Sequence, residues 1–262
     1  MRVNQWTKTP KGYVIISMVA FLLIATIWSL NISGINNGII AVGVSTVVDI
    51  LCSRIAKRKR TLPDGAIITG LIIALILSTT TSWYMVAATS IIAILSKHLL
   101  VYKKKPIFNP AAFGLLLSIL FFRTGQSWWG AFGDIPAWTI VFLLIGGYIV
   151  TNRVNKFPQV FSFLGMYFIL LLIMGLINVG DATDALRPPF INASLFFALF
   201  MLTDPPTSPA KYKDQVIFGI LSAVVGVVIY GLYGGLMYLY IGLLVGNLYY
   251  LLKRRVSSRA LN

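Results

Sequence analysis

Ten apolar stretches, separated by short polar turns, constrain the fold of this chain more than any other feature. Only 11% of its 262 residues are charged, whereas soluble domains carry about 25%. In a bilayer a run of about 20 apolar residues spans as an α-helix, because the helix satisfies its own backbone hydrogen bonds. The sequence therefore predicts an all-α polytopic membrane protein, in which the third, fifth and eighth segments are short. The ten predicted segments are residues 13–30, 38–51, 65–77, 83–102, 110–122, 136–150, 160–177, 190–202, 216–232 and 236–252.

The basic residues predict the orientation of these segments. The chain has 22 Lys and Arg residues against seven acidic residues, which gives a net charge of +15. If both termini are cytoplasmic, 19 of the 22 basic residues fall in cytoplasmic segments, which is the positive-inside pattern. Topology thus accounts for the excess charge without nucleic-acid binding. We expect a multi-pass protein of the cytoplasmic membrane, surrounded by lipid, with both termini in the cytoplasm.

A weak internal repeat appears at an offset of 124 residues. Residues 62–79 (LPDGAIITGLIIALILST) align with residues 186–203 (LRPPFINASLFFALFMLT), so the third and eighth segments correspond. Five spans per repeat is an odd number and inverts the second copy in the membrane. We therefore predict one membrane domain over residues 1–262, built as a 5+5 inverted repeat with halves of about 12–122 and 135–252. Short, Pro- or Gly-interrupted segments at matching positions point to a site near the bilayer midplane.

The first polar motif opens the third segment as Leu62-Pro63-Asp64-Gly65. A carboxylate near a helix N-terminus is favoured by the helix dipole, so Asp64 either caps this helix or contributes to a site. Thr69 and Gly70, one turn deeper, either line a cavity or allow close helix packing.

The second motif joins Lys97-His98 to Phe108-Asn109-Pro110 across a basic turn. Lys97 is expected either to reach the cytoplasmic interface or to serve a site, and His98 either bonds a backbone carbonyl or binds a ligand. Asn109 precedes a proline, which disfavours helical geometry at that position. Its amide is therefore expected to cap the fifth segment or to bind a ligand.

The third motif, Thr203-Asp204-Pro205-Pro206, closes the short eighth segment. Asp204 either caps, pairs with Lys211, or lies on a cation route, since an acid at membrane depth is a candidate for ion passage. Trp128-Trp129, in the connection over residues 123–134, suit a bilayer interface. The chain has one Cys and one His and no soluble catalytic signature, so no catalytic or metal-ligating residue is predicted.

Taken together, DGAIITGLIIAL, KH…IFNPAAFGL and FMLTDPPTSP resemble one family of membrane proteins, RnfD/NqrB. Its members are RnfD, from Rnf-type electron-transport complexes, and NqrB, from the Na⁺-translocating NADH:quinone reductase. The resemblance implies a ten-helix inverted repeat like that of urea and ammonium channels. It further implies a redox component of an oxidoreductase complex, with membrane and soluble partner subunits, that couples electron transfer to Na⁺ or H⁺ movement.

One departure from the family concerns the cofactor. Longer members carry covalent FMN on a Ser-Gly-Ala-Thr motif, which is absent from this chain. The resemblance therefore implies a short form with a non-covalent flavin, riboflavin or FMN, near the Asn-Pro break. The implied binding residues are Asn109, His98, Thr69 and Asp64, with Asp204 and Thr203 along an ion or cofactor route.

Two other functions fit the same sequence. The missing flavin-attachment motif and two short segments motivate a second interpretation, a channel or carrier for a small solute on this scaffold. The chain would also serve as a structural anchor for a soluble reductase, in which case alanine at Asn109 would leave electron flow intact.

Overall fold

The computed structural model describes residues 6–57, 62–179 and 181–259. Within these ranges the chain is mostly helical, which confirms the all-α prediction, and it contains ten helices longer than two turns. The eighth helix continues as a π-helix over Phe197–Met201, and a single helical turn, Ala182–Ala185, precedes it. The ten helices are α1 Pro10–Ser29, α2 Ser33–Ile55, α3 Asp64–Ile76, α4 Trp83–Leu99, α5 Pro110–Phe122, α6 Ile140–Val154, α7 Phe157–Leu176, α8 Pro188–Phe196, α9 Tyr212–Tyr233 and α10 Met237–Arg259.

Five of the described helical stretches are long and apolar enough to cross a membrane. They are α1, α2, α7, α9 and α6 together with the 3₁₀ turn before it. Four further apolar helices are shorter, namely α3, α4, α5 and α8 with its π-helical extension. The chain is therefore a multi-pass membrane protein in which four apolar helices are shorter than a full span.

The fourth segment ends earlier than the sequence predicts. Helix α4 stops at Leu99 rather than at residue 102, because Val101–Tyr102 (β1) pairs antiparallel with Lys105–Pro106 (β2). The predicted start of the second segment was also late, since α2 begins at Ser33 rather than at residue 38. A small hairpin thus leads from α4 into α5.

The same packing pattern occurs twice along the chain. Helix α4 packs on α2 and α5, and helix α9 packs on α7 and α10 in the same way. Likewise α1 contacts α3, and α6 contacts α8 with its π-helical extension. Helices α3 and α8 begin at residues 64 and 188, the offset that the sequence alignment predicts. The exact limits of the two halves stay a prediction.

Gly70 brings α2 and α3 into backbone contact. A Cβ at this position would lie 2.7 Å from the Cα of Val42 and 2.8 Å from the carbonyl oxygen of Ala41. A side chain would therefore force the two helices apart. Of the two roles expected for Gly70, the structure supports close packing.

The connection over residues 123–134 folds into the protein and covers the end of α3. The backbone N–H groups of Ser127 and Trp128 each donate to the carbonyl of Ile76 at 3.0 Å, and Trp129 Nε1 donates to the Ala74 carbonyl at 2.8 Å. Trp128 is 2% exposed, so the prediction that this Trp pair lies at the bilayer interface was wrong. The reason is that α3 ends away from water, where its last carbonyls need protein donors.

Candidate functional site

A cavity of about 740 Å³ lies among the ends of the short helices. Its volume is within the range of about 300–1,000 Å³ typical of small-molecule sites. The lining combines an apolar wall with polar groups from all three sequence motifs. The polar lining residues are Thr69, Lys97, Asn109, Thr203 and Asp204, joined by Thr9, Lys11, Asp49, Lys104 and Lys105, and the wall includes Ile68, Ile72, Val150, Val154 and Phe200.

Asn109 joins the start of α5 to the end of the π-helix after α8. Its Oδ1 accepts from Ala112 N at 3.1 Å, which is the N-cap bond of α5. Its Nδ2 donates to the Met201 carbonyl at 3.2 Å, and its own backbone N–H donates to Asn247 Oδ1 at 2.9 Å. The predicted cap is confirmed. Because Asn109 is 3% exposed, these bonds are shielded from water and fix the two helix ends against each other.

The π-helical turn changes which carbonyls are free at the end of α8. The Leu202 N–H bonds the carbonyl of Phe197, five residues back, so carbonyls of this turn are left for other donors. Gln159 Nε2 donates to the Leu202 carbonyl at 2.7 Å, and Thr203 Oγ1 donates to the Leu199 carbonyl at 2.8 Å. Side-chain donors thus replace the solvent that a helix end normally uses.

Asp49 of α2 forms a hydrogen-bonded cluster with the Lys97-His98 pair of α4. Its Oδ1 lies 2.8 Å from Lys97 Nζ and 2.8 Å from His98 Nε2. Lys97 therefore pairs inside the protein instead of reaching the interface, and the partner expected for His98, a backbone carbonyl, was wrong. The side chains of Asp49 and His98 are only 12% and 8% exposed. Burial of three ionisable groups requires such mutual contacts.

Asp49 was missed by the sequence reasoning, although a signal was available. It is an acidic residue near the end of the predicted second segment, residues 38–51, and a membrane-embedded acid is by default a candidate for a site. Asn247, inside the last segment, carried a similar signal; its Nδ2 donates to the Thr207 carbonyl at 3.0 Å.

Asp64 and His98 are the two predicted site residues that do not line the cavity. Asp64 is the first residue of α3 but makes no side-chain cap bond. Its Oδ1 instead accepts from the indole Nε1 of Trp6 at 3.1 Å. The predicted capping bond of Asp64 was therefore wrong. Among the hydrogen bonds of the described residues, that to Asp49 links His98 to the cavity lining.

Asp204 lines the cavity after the π-helix, and its negative charge acts on Lys156, which does not line the cavity. Asp204 accepts from Thr207 Oγ1 at 2.8 Å, and no ion pair with Lys211 occurs among the described residues. Lys156, in the connection between α6 and α7, is 3% exposed and donates to the Pro209 carbonyl. Burial lowers the pKa of Lys156 to about 8, while the negative charge of Asp204 opposes this shift.

The chain also matches a known protein family. The family model described as "NQR2, RnfD, RnfE family" matches residues 1–135 and again residues 120–250, which agrees with the repeated packing of the helices. No curated protein sequence matches the chain significantly. Because the two matches together extend over nearly all of its residues, this multi-pass membrane protein belongs to the NQR2, RnfD, RnfE family, whose members are membrane subunits of Rnf- and Nqr-type complexes.

Proposed function

We propose that this protein holds a non-covalent flavin in the cavity and passes electrons within an Rnf- or Nqr-type complex. The observation that carries the proposal is the convergence of Thr69, Lys97 and Asn109, from the first two sequence motifs, on one cavity of ligand size. A flat ring system suits the apolar wall, which includes Ile72 and Phe200. A pocket of mostly apolar surface with a few convergent polar groups is typical of cofactor sites.

The polar side chains of the cavity offer donors and one acceptor to the polar edge of a flavin ring. Lys97 uses one contact on Asp49, and an ammonium group has three N–H donors. Asn109 uses one of its two amide N–H donors on Met201. Thr69 Oγ1 donates to the Gly65 carbonyl at 2.8 Å and keeps its acceptor capacity. Each of the three side chains therefore retains hydrogen-bonding capacity toward the cavity.

A bound flavin supplies one- and two-electron transfer, and the chain supplies its setting. Lys97 would hold a positive charge near the ring, which favours added electrons. The Asp49 carboxylate fixes that ammonium, because the two groups are in contact at 2.8 Å. The apolar wall excludes water, which strengthens the electrostatic effect of Lys97 on whatever binds.

Ion coupling is a second part of the proposal. Asp204 and Thr203 line the cavity beside the two consecutive prolines that follow the π-helix. A carboxylate in this position provides the oxygen ligand that Na⁺ or H⁺ movement requires. We assign the ion route to these two residues, with the connection that contains them on the cytoplasmic side, together with both termini.

A cavity-filling variant tests the flavin site. Ile68 lines the cavity and Ile67, its neighbour on α3, does not. Ile68→Trp should block the cavity, so protein purified from flavin-rich cells should lose its flavin, measured by fluorescence after denaturation. Ile67→Trp makes the same change outside the lining and should keep a flavin content close to that of the wild type.

Two results would count against the proposal. If the wild-type protein releases no flavin and takes up none when it is added, the cavity does not hold one. Flux of a small solute through liposomes that contain this colourless protein would then support the channel function.

A further inference from the structure

We propose that lysines at the edge of the cavity form a phosphate subsite, so that the flavin bound there is FMN rather than riboflavin. The inference rests on the proposed function and specifies its ligand. The residues concerned are Lys11, Lys104 and Lys105, called the rim lysines below. All three line the cavity, and all three are exposed to solvent.

The charge balance of the cavity favours an anion. Its lining contains the three rim lysines and Lys97, against the two carboxylates Asp49 and Asp204. Lys97 is paired with Asp49. Among the residues that the structure describes, no rim lysine lies within 4.0 Å of a carboxylate. A phosphate monoester carries about −1.5 to −2 charges at pH 7 and accepts strong hydrogen bonds, so it complements this rim.

The hairpin that presents the lysines is strained. Lys103 and Lys104 form its two-residue loop and have φ angles of 47° and 64°. Loops of this kind strongly prefer Asn-Gly, because a side chain with positive φ is unfavourable. Strain of this sort tends to persist at functional sites, where the surrounding structure maintains it. Of the two loop lysines, Lys104 lines the cavity, so its position is better explained by its charge than by the needs of the turn. Lys103 does not line the cavity, and its Nζ lies 5.7 Å from the ring centroid of Tyr102.

Contacts with α10 hold the hairpin in place. The guanidinium groups of Arg254 and Arg255 lie 5.5 Å and 5.3 Å from the ring centroid of Tyr102, within the range of cation–π attraction. Lys105 precedes Asn109 by four positions, a distance of at most about 14 Å in extended chain. A ligand with a ring near Asn109 and a phosphate on a flexible tail therefore matches the spacing of the two groups.

Comparing the affinities of FMN and riboflavin tests the subsite. Flavin-free protein in nanodiscs of zwitterionic lipid is titrated with each flavin, and binding is followed by flavin fluorescence. FMN should bind about tenfold more tightly than riboflavin, because charge-assisted hydrogen bonds to phosphate are strong. The double variant Lys104→Gln/Lys105→Gln should weaken FMN binding about tenfold and leave riboflavin binding nearly unchanged. Unchanged riboflavin binding also demonstrates that this variant is folded.

A matched control removes two lysines elsewhere on the protein surface. Lys211 and Lys213 are exposed, and neither lines the cavity, so Lys211→Gln/Lys213→Gln should preserve the preference for FMN. Equal affinities of FMN and riboflavin for the wild type would overturn the subsite and leave the flavin site itself standing. Binding of neither flavin would overturn the proposed function as well.

The lysines also have the chemistry to bind phosphate in lipid headgroups. Repeating the titration in nanodiscs with anionic lipid separates the two sources. A preference for FMN that persists there supports the subsite. A preference that disappears means that headgroups occupy the rim lysines, and this result would overturn the assignment to the flavin phosphate.

Discussion

Replacing Asn109 by alanine removes two side-chain hydrogen bonds that link the start of α5 to the end of the π-helix. One is the N-cap bond to Ala112 N, and the other runs from Nδ2 to the Met201 carbonyl. Loss of an N-cap costs about 1 kcal/mol, and leaving a buried carbonyl without its donor costs about 1–3 kcal/mol. The sum predicts that Asn109→Ala lowers the free energy of unfolding by about 2–4 kcal/mol.

Thermal unfolding of the purified protein in detergent measures this loss. For a chain of this size about 2–4 °C is expected per kcal/mol, so the midpoint should fall by about 4–16 °C. Asn109→Asp separates the two bonds, since it keeps the cap acceptor but loses the Nδ2 donor, and should have a smaller effect. Asn152→Ala on the exposed surface of α6 is the control and should leave the midpoint nearly unchanged.

The Met201 carbonyl accepts the hydrogen bond that links the π-helix to Asn109. If Asn109→Ala unfolds at the same temperature as the wild type, then Asn109 does not tie the two helix ends together.

Three further changes test other parts of the structure. Gly70→Ala should lower the unfolding temperature because its Cβ meets backbone atoms of α2, whereas Gly43→Ala, with nothing within 4 Å, should not; equal effects would refute the close contact. Asp49→Asn should lower the unfolding temperature, because it leaves Lys97 without its partner. Adding Lys97→Met to this variant should restore part of the lost unfolding temperature. Thermal scans that show no such recovery would contradict the ion pair. The pKa of Lys156 is about 8 in the folded protein and higher in the unfolded chain, so protonation of Lys156 opposes folding. The unfolding midpoint should therefore rise as the pH increases above 8, and this rise should be smaller in Lys156→Met. Identical pH profiles of the two proteins would argue against a buried lysine with a lowered pKa.

The membrane fold follows from the sequence because its signals are long and redundant. Apolar runs and the positions of the basic residues specified ten segments, and the start of α8 lies 124 residues after that of α3. The motif around Asn109 also predicted a helix cap correctly, since Pro110 restricts the residue before it. These properties depend on local chemistry and on the bilayer, so no tertiary contact is needed to infer them.

The site was harder to predict because its partners are distant in the sequence. Asp49 meets Lys97 and His98 from another helix, and no local pattern connects these positions. Trp128 was assigned to the interface because a Trp pair usually lies there, but α3 ends inside the protein and needs covering. In both cases the deciding factor is the need to satisfy polar groups away from water. An inspection of every polar residue within the apolar segments would have found Asp49.

A structure of the purified protein with added flavin tests the central claim most directly. Single-particle imaging in nanodiscs would reveal what occupies the cavity bounded by Thr69, Lys97 and Asn109. We expect density for a three-ring system against the apolar wall, and we expect none in the Ile68→Trp variant. A cavity filled by a lipid chain, with flavin bound elsewhere or not at all, would contradict the central claim.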